Sequence, residues 1–199
     1  MLKATHKVDP GAQKGRKQPQ AKDGKGNPID TSRLPRRSVL LNVYDVGESS
    51  AIRKVNGFGI GGGVYHGGVE VYGVEWSYGF TQTSGTGVSM CKPRAHPMHA
   101  YRQTVEMGQT RCTEEQVTDI VEELIGQWLG SAYHLLKHNC LDFCNALLKK
   151  LGLGPIPAWV DRYGRAAESV GKVMYTPISA AKLAGGYGMR LAGVKKLSK

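Results

Sequence analysis

A chain of 199 residues with 40% hydrophobic content has the material for one packed domain flanked by tails. Its formal charge of +11 is uneven: residues 1–37 carry 10 Lys and Arg against 3 Asp, residues 171–199 carry 6 basic and no acidic side chains, and residues 38–170 carry 11 basic and 13 acidic ones. The basicity therefore belongs to the ends. No run approaches the roughly 18 apolar residues of a membrane helix and no apolar stretch follows the start, so neither a membrane span nor secretion is expected.

Residues 1–37 are rich in Lys, Gln, Gly and Pro and show no apolar period, so they are expected to be a disordered basic tail. Such a tail is ordinarily just solvated; its alternative use is contact with nucleic acid or an anionic membrane surface. Val39 to Val46 is a short apolar run bounded by Gly47 and reads as the first strand. A glycine-rich stretch, Gly57 to Gly63, then leads into Tyr65, His66, Gly67 and Gly68. No Gly-Lys-Ser/Thr follows these glycines and the strand-loop-helix order is absent, so nucleotide binding is not expected. A better use for Gly67 and Gly68, with Tyr65 beside them, is close approach to an extended peptide. From Glu70 to Phe80 a period of two predicts antiparallel strands, with Glu70, Tyr72, Val74, Trp76, Tyr78 and Phe80 sharing one face.

Thr113 with Gln116 three residues later forms a capping box, and Val117, Ile120, Val121, Leu124, Ile125 and Trp128 continue a helix that Gly130 ends. A second helix opens near Asn139 and buries Phe143, Leu147, Leu148 and Leu151 before Gly152 and Gly154 stop it. Ile156, Pro157 and Trp159 read as a lock on the following turn, with a further helical stretch from Val160 to about Ser169. Residues 171–199 lack a sustained period and are expected to be a second basic tail. Strands followed by helices indicate an α+β domain over 38–170.

The chemistry gathers where that second helix begins. A thiolate is the reactive form of cysteine, and the amide end of a helix favours it. Cys140 lies at that position, and His66, between glycines at the start of a strand, is a general base that the fold would have to bring to it. Asn139 or backbone amides at the helix start are candidates to hold an oxyanion. Taken singly, any cysteine is most often a buried inert thiol, and Cys91, Cys112 and Cys144 are read that way. Without a secretory segment, free thiols and a cytoplasmic or nuclear location are expected. His134, His138, Cys140 and Cys144 have a spacing compatible with zinc, but structural zinc sites more often pair their ligands differently, so no metal and no cofactor are expected. Glu70 lies about 13 Å along an extended strand from His66, too far to orient it directly, so no third catalytic residue is identified.

Two separated motifs resemble the PPPDE family, the permuted papain-fold peptidases that include the desumoylating isopeptidases. The first holds Tyr65, His66, Gly68, Val69, Glu70, Val71, Gly73, Glu75 and Gly79; the second holds Tyr133, His134, Leu135, Leu136, Asn139, Cys140, Phe143, Leu147, Ile156, Pro157 and Trp159. Leu141 departs from the family, which usually has Asn there. The resemblance implies a permuted papain-like cysteine peptidase fold, a small antiparallel sheet packed with helices, and a Cys140–His66 dyad. It also implies hydrolysis after the Gly-Gly tail of ubiquitin or a ubiquitin-like modifier such as SUMO. Two alternatives accompany it: a thiol acyltransferase or lipid hydrolase of lecithin-retinol acyltransferase type, and a binding module that holds modifiers without cutting them.

Overall fold

The computed structural model describes residues 18–46, 65–82 and 84–161. The glycine run before Val64, most of the helical stretch expected after Val160 and the C-terminal tail lie outside the described residues. Five strands, β1 (Ser38–Asp45), β2 (Tyr65–Val71), β3 (Val74–Tyr78), β4 (Val88–Cys91) and β5 (Ala100–Gln109), form one sheet in the order β4-β3-β2-β1-β5. Every neighbouring pair is antiparallel. Two helices follow, α1 (Glu114–Gln127) and α2 (Cys140–Lys150). This is the expected α+β arrangement. No helix of the described residues is long and apolar enough to cross a membrane.

Both helices begin where their caps require. Thr113 accepts from the Gln116 amide while the Gln116 side chain accepts from the Thr113 amide, closing the expected capping box. Asn139 does the same with Asp142 at the head of α2. The buried face of α2 presents Phe143, Cys144, Leu147 and Leu148 to Val39, Leu41, Val43, Val69 and Val71 of the sheet. Ile156 closes this core, its amide donating to Asn145 Oδ1 at 2.9 Å.

The hairpin between β2 and β3 corrects the expected aromatic stripe. Tyr72 and Gly73 both take positive φ, 51° and 78°, a two-residue turn that pairs Val71 with Val74, Glu70 with Glu75 and Val69 with Trp76. Glu70 and Glu75 thus share one face, and Trp76 lies with Val69 on the other. A stripe read straight through the turn loses its parity there.

The opposite face of the sheet is polar and sealed. Glu75 is fully buried and accepts from Tyr44 Oη at 2.5 Å, Asn42 Nδ2 at 2.7 Å and the Arg94 amide at 2.7 Å. Glu70 accepts from Asn42 Nδ2 at 2.9 Å and Arg94 Nη1 at 2.7 Å, and Asn42 Oδ1 accepts from Thr104 at 2.7 Å. Gly68 leaves room for this network, because a Cβ there would stand 2.4 Å from Glu75 Oε1.

Residues 18–37, expected to be disordered, are ordered against the core. The Lys22 amide donates to Tyr101 Oη at 3.0 Å, the Thr104 amide to the Lys22 carbonyl at 2.8 Å, Arg94 Nε to the Pro19 carbonyl at 3.0 Å and Gln18 Nε2 to the Pro93 carbonyl at 2.9 Å. Ala21 is buried. The segment is held by hydrogen bonds that cap a polar face, a kind of order that a search for apolar periodicity does not register. Deleting residues 1–37 should therefore destabilise the domain by roughly 1–3 kcal/mol, since four such bonds are each worth about 1 kcal/mol less the entropy of ordering the strap. Deleting only residues 1–17 should leave urea midpoints unchanged; equal midpoints for the two truncations would contradict the assignment.

Candidate active site

Cys140 is the first residue of α2, and its sulfur lies against the core-facing side of β2. The Gly67 amide, the Tyr133 hydroxyl and the amide of Cys140 itself are the donors at the sulfur, the Leu141 amide being taken by Asn139 Oδ1. Gly67 permits this approach, because a Cβ there would stand 2.9 Å from Leu141 Cδ2 and 3.2 Å from Cys144 Sγ. Burial nevertheless dominates these donors and raises the thiol pKa above its ordinary value. In this state the sulfur is a protonated thiol. Cys144, one turn later and fully buried, is pushed up further, as expected of a core thiol.

His66 sits on the same strand but on its other face. It pairs with Tyr44 across β1, whereas Gly67 pairs with Val43, and the pleat sends adjacent residues to opposite sides. Its ring lies 4.4 Å from that of His96, 4.5 Å from that of His99 and 6.1 Å from that of Tyr44. Burial, then the neighbouring His96 and His99, holds the imidazole well below its ordinary pKa, so it is neutral. The His66 side chain thus leaves β2 on the face opposite to that of Gly67, and both it and the Cys140 thiol are uncharged in this state. Among the described residues, the last rung joining β2 to β3 is Val69 with Trp76, so Tyr65 to Gly68 have no β3 partner.

The remaining expected site residues have defined places. Asn139 is committed to capping: its Oδ1 accepts from the Leu141 amide at 2.7 Å and the Asp142 amide at 3.2 Å, and its Nδ2 donates to the Leu135 carbonyl at 3.0 Å. Its Oδ1 and one of its two Nδ2 hydrogens are engaged in this way, while the Gly67 and Cys140 amides and the Tyr133 hydroxyl are the donors at the sulfur. Tyr65 packs its ring against Trp159 at 5.8 Å with the Arg102 guanidinium 5.2 Å over it. Packing of α2 and of Glu75 accounts for the glycines at 67 and 68, without a peptide. His138 stacks on Trp128 at 4.1 Å, and the pair His134 and His138 closes a small turn through reciprocal backbone bonds of 2.9 Å. Sequence reasoning missed Tyr133 as a sulfur partner, although it opens the second motif, and missed His96 and His99, whose spacing in a proline-flanked loop carries little signal.

The raised thiol predicts a specific reactivity. Alkylation of Cys140 by iodoacetamide should be slower at pH 7 than that of a small free thiol and should climb through pH 9 and above, as the thiolate fraction grows. Mass-resolved labelling checks this; a rate already maximal at pH 7 would show an ion pair that this geometry lacks.

The PPPDE putative peptidase domain matches residues 37–178, which is more than half of the chain. The chain belongs to the PPPDE peptidase family. A DeSI-like protein of Arabidopsis thaliana is 32% identical over 127 residues, covering 64% of this chain and 55% of that protein. A desumoylating isopeptidase 1 homolog of Caenorhabditis elegans is 28% identical over 138 residues, 66% of this chain and 40% of its own length. Human desumoylating isopeptidase 1 is 32% identical over 127 residues, 61% of this chain and 71% of the relative. The match thus spans about half the length of the first two. Membership of a family of peptidases and isopeptidases, with the α+β fold, follows.

Proposed function

We propose that this PPPDE member is a cysteine isopeptidase that hydrolyses the bond after the Gly-Gly tail of SUMO, ubiquitin or another ubiquitin-like modifier. The observation carrying the reading is the setting of Cys140: the first residue of a capped helix, with its own amide, the Gly67 amide and the Tyr133 hydroxyl at its sulfur. Donors so disposed stabilise a thiolate and, after attack, the oxyanion of a tetrahedral intermediate. Cys140 Sγ attacks the carbonyl carbon of the terminal glycine; the leaving amine takes a proton, and water then cleaves the thioester.

His66 is the proton carrier in this mechanism. Its imidazole and the Cys140 sulfur meet at the strand margin that β3 leaves unpaired, where the imidazole takes the thiol proton. The resting enzyme is then an uncharged pair, and substrate binding assembles the dyad. A chain that binds modifiers without cutting them is the second reading, favoured by the packing of His66 among His96 and His99. Cytoplasm or nucleus is the proposed compartment, with anionic partners, if any, on the basic ends.

A panel of SUMO and ubiquitin probes carrying a thiol-reactive C-terminus separates these readings. The isopeptidase reading requires covalent capture, with the label on Cys140. Capture on Cys91, Cys112 or Cys144, or reversible binding with no label, would reject it.

A further inference from the structure

Three histidines meet on the polar face of the sheet: His66 from β2, and His96 and His99 from the loop that leads into β5. Their rings form a near-equilateral triangle, with centroids 4.4, 4.5 and 4.6 Å apart. One ligand atom from each lies within 4.8 Å of the other two, and among the described residues this is the one group of three or more His, Cys, Asp or Glu gathered so closely. His66 and His96 are buried and His99 is mostly so. Independently, His66 Nε2 is buried and has no hydrogen-bond partner. A buried ring nitrogen ordinarily finds a partner, so one without calls for a ligand.

We propose that His66, His96 and His99 form a binding site for a divalent transition-metal ion of the zinc class. Three imidazoles with an open fourth position for water are a recurrent zinc arrangement, and nitrogen ligands favour such ions over magnesium or calcium. The carboxylates of the same face are not competing ligands, being engaged by Asn42, Tyr44 and Arg94.

Tetrahedral zinc with bonds of about 2.0–2.1 Å needs ligand nitrogens about 3.4 Å apart, so the triangle must tighten by rotation of the rings. His96 and His99 are stacked at 12°, and at least one of them turns to aim at a common point. His96 Nδ1 accepts from the Met98 amide at 3.3 Å; coordination through its Nε2 moves the ring proton to Nδ1 and gives up that long contact. The net charge of the ligands does not change. Because a bound ion takes the His66 lone pair, the site also acts as a brake on hydrolysis; this consequence rests on His66 being the base proposed above.

Titration of the full-length chain with cobalt(II), followed by displacement with zinc, tests the site. One equivalent should bind and give visible d–d bands without a sulfur-to-metal charge-transfer band, and zinc should bleach them. His96→Ala and His99→Ala should each weaken binding by at least about tenfold, while Cys140→Ala and Cys144→Ala leave it unchanged. In wild-type protein, zinc should shift the imidazole NMR signals of His66, His96 and His99 but not those of His134 and His138, a readout independent of how well the variants fold. Absence of stoichiometric binding, or binding that is lost with the cysteines and survives without His99, would overturn the proposal. Binding at the three histidines with turnover unimpaired would uphold the site and reject His66 as the base.

Discussion

Cys140→Ala should reduce hydrolysis of a modifier-derived substrate by at least about 10⁴-fold, the scale expected when a covalent nucleophile is removed rather than repositioned. The loss should not come from unfolding. Alanine keeps the first-turn backbone, the cap made by Asn139 and Asp142 is independent of the sulfur, and the side chain removed is one atom at the end of the core. The melting temperature should stay within a few degrees, as expected for a change of about 1 kcal/mol. Steady-state rates and a thermal melt on the same sample check both halves. A variant that retains wild-type turnover would remove Cys140 from the mechanism, and one that does not fold would show that the thiol is a packing group.

Glu75→Ala should be the most destabilising single change in the described fold, costing about 3–5 kcal/mol, because it breaks a buried charged network from one side. The Tyr44 hydroxyl and the Arg94 amide each lose their acceptor, and a void opens beside Gly68 where the carboxylate had been. On a domain of this size that is a fall in melting temperature on the order of 10 °C or more. Glu75→Gln should be far milder. Its oxygen can accept from Asn42 and the Arg94 amide while its NH2 donates to the Tyr44 oxygen, and burial already raises the Glu75 pKa, disfavouring the charge that glutamine removes. Equal destabilisation by the two variants would mean that charge, not hydrogen bonding, holds this face.

Much of the fold is legible in the sequence wherever local chemistry decides it. Thr113 with Gln116 and the apolar period after Asn139 place both helix starts, since capping and periodicity are short-range. Val39 to Asp45 reads as a strand for the same reason. The strap at residues 18–30 is not legible, because backbone bonds to Tyr101 and Thr104 order it and no side-chain pattern records them. The shared face of Glu70 and Glu75 is hidden by the turn at Tyr72 and Gly73, which resets the alternation. At the site, the sequence singles out Cys140, His66 and Asn139 as residues but not as geometry. Which side of β2 His66 takes depends on its register against Tyr44, and the role of Asn139 on the reach of its amide to Leu135 and Leu141. The triangle of His66, His96 and His99 joins segments 30 residues apart and has no local signature.

The pairing of His66 with Cys140 during turnover is the step on which the mechanism depends, and kcat/KM against pH in wild type and His66→Ala measures it most directly. The account predicts a fall of about 10²–10⁴-fold in the variant, with the acid limb of the wild-type profile, which the depressed His66 imidazole places below the ordinary histidine range, abolished and the remaining rate rising only as the Cys140 thiol ionises at alkaline pH. A His66→Ala protein that is folded and keeps the wild-type rate and profile would contradict it.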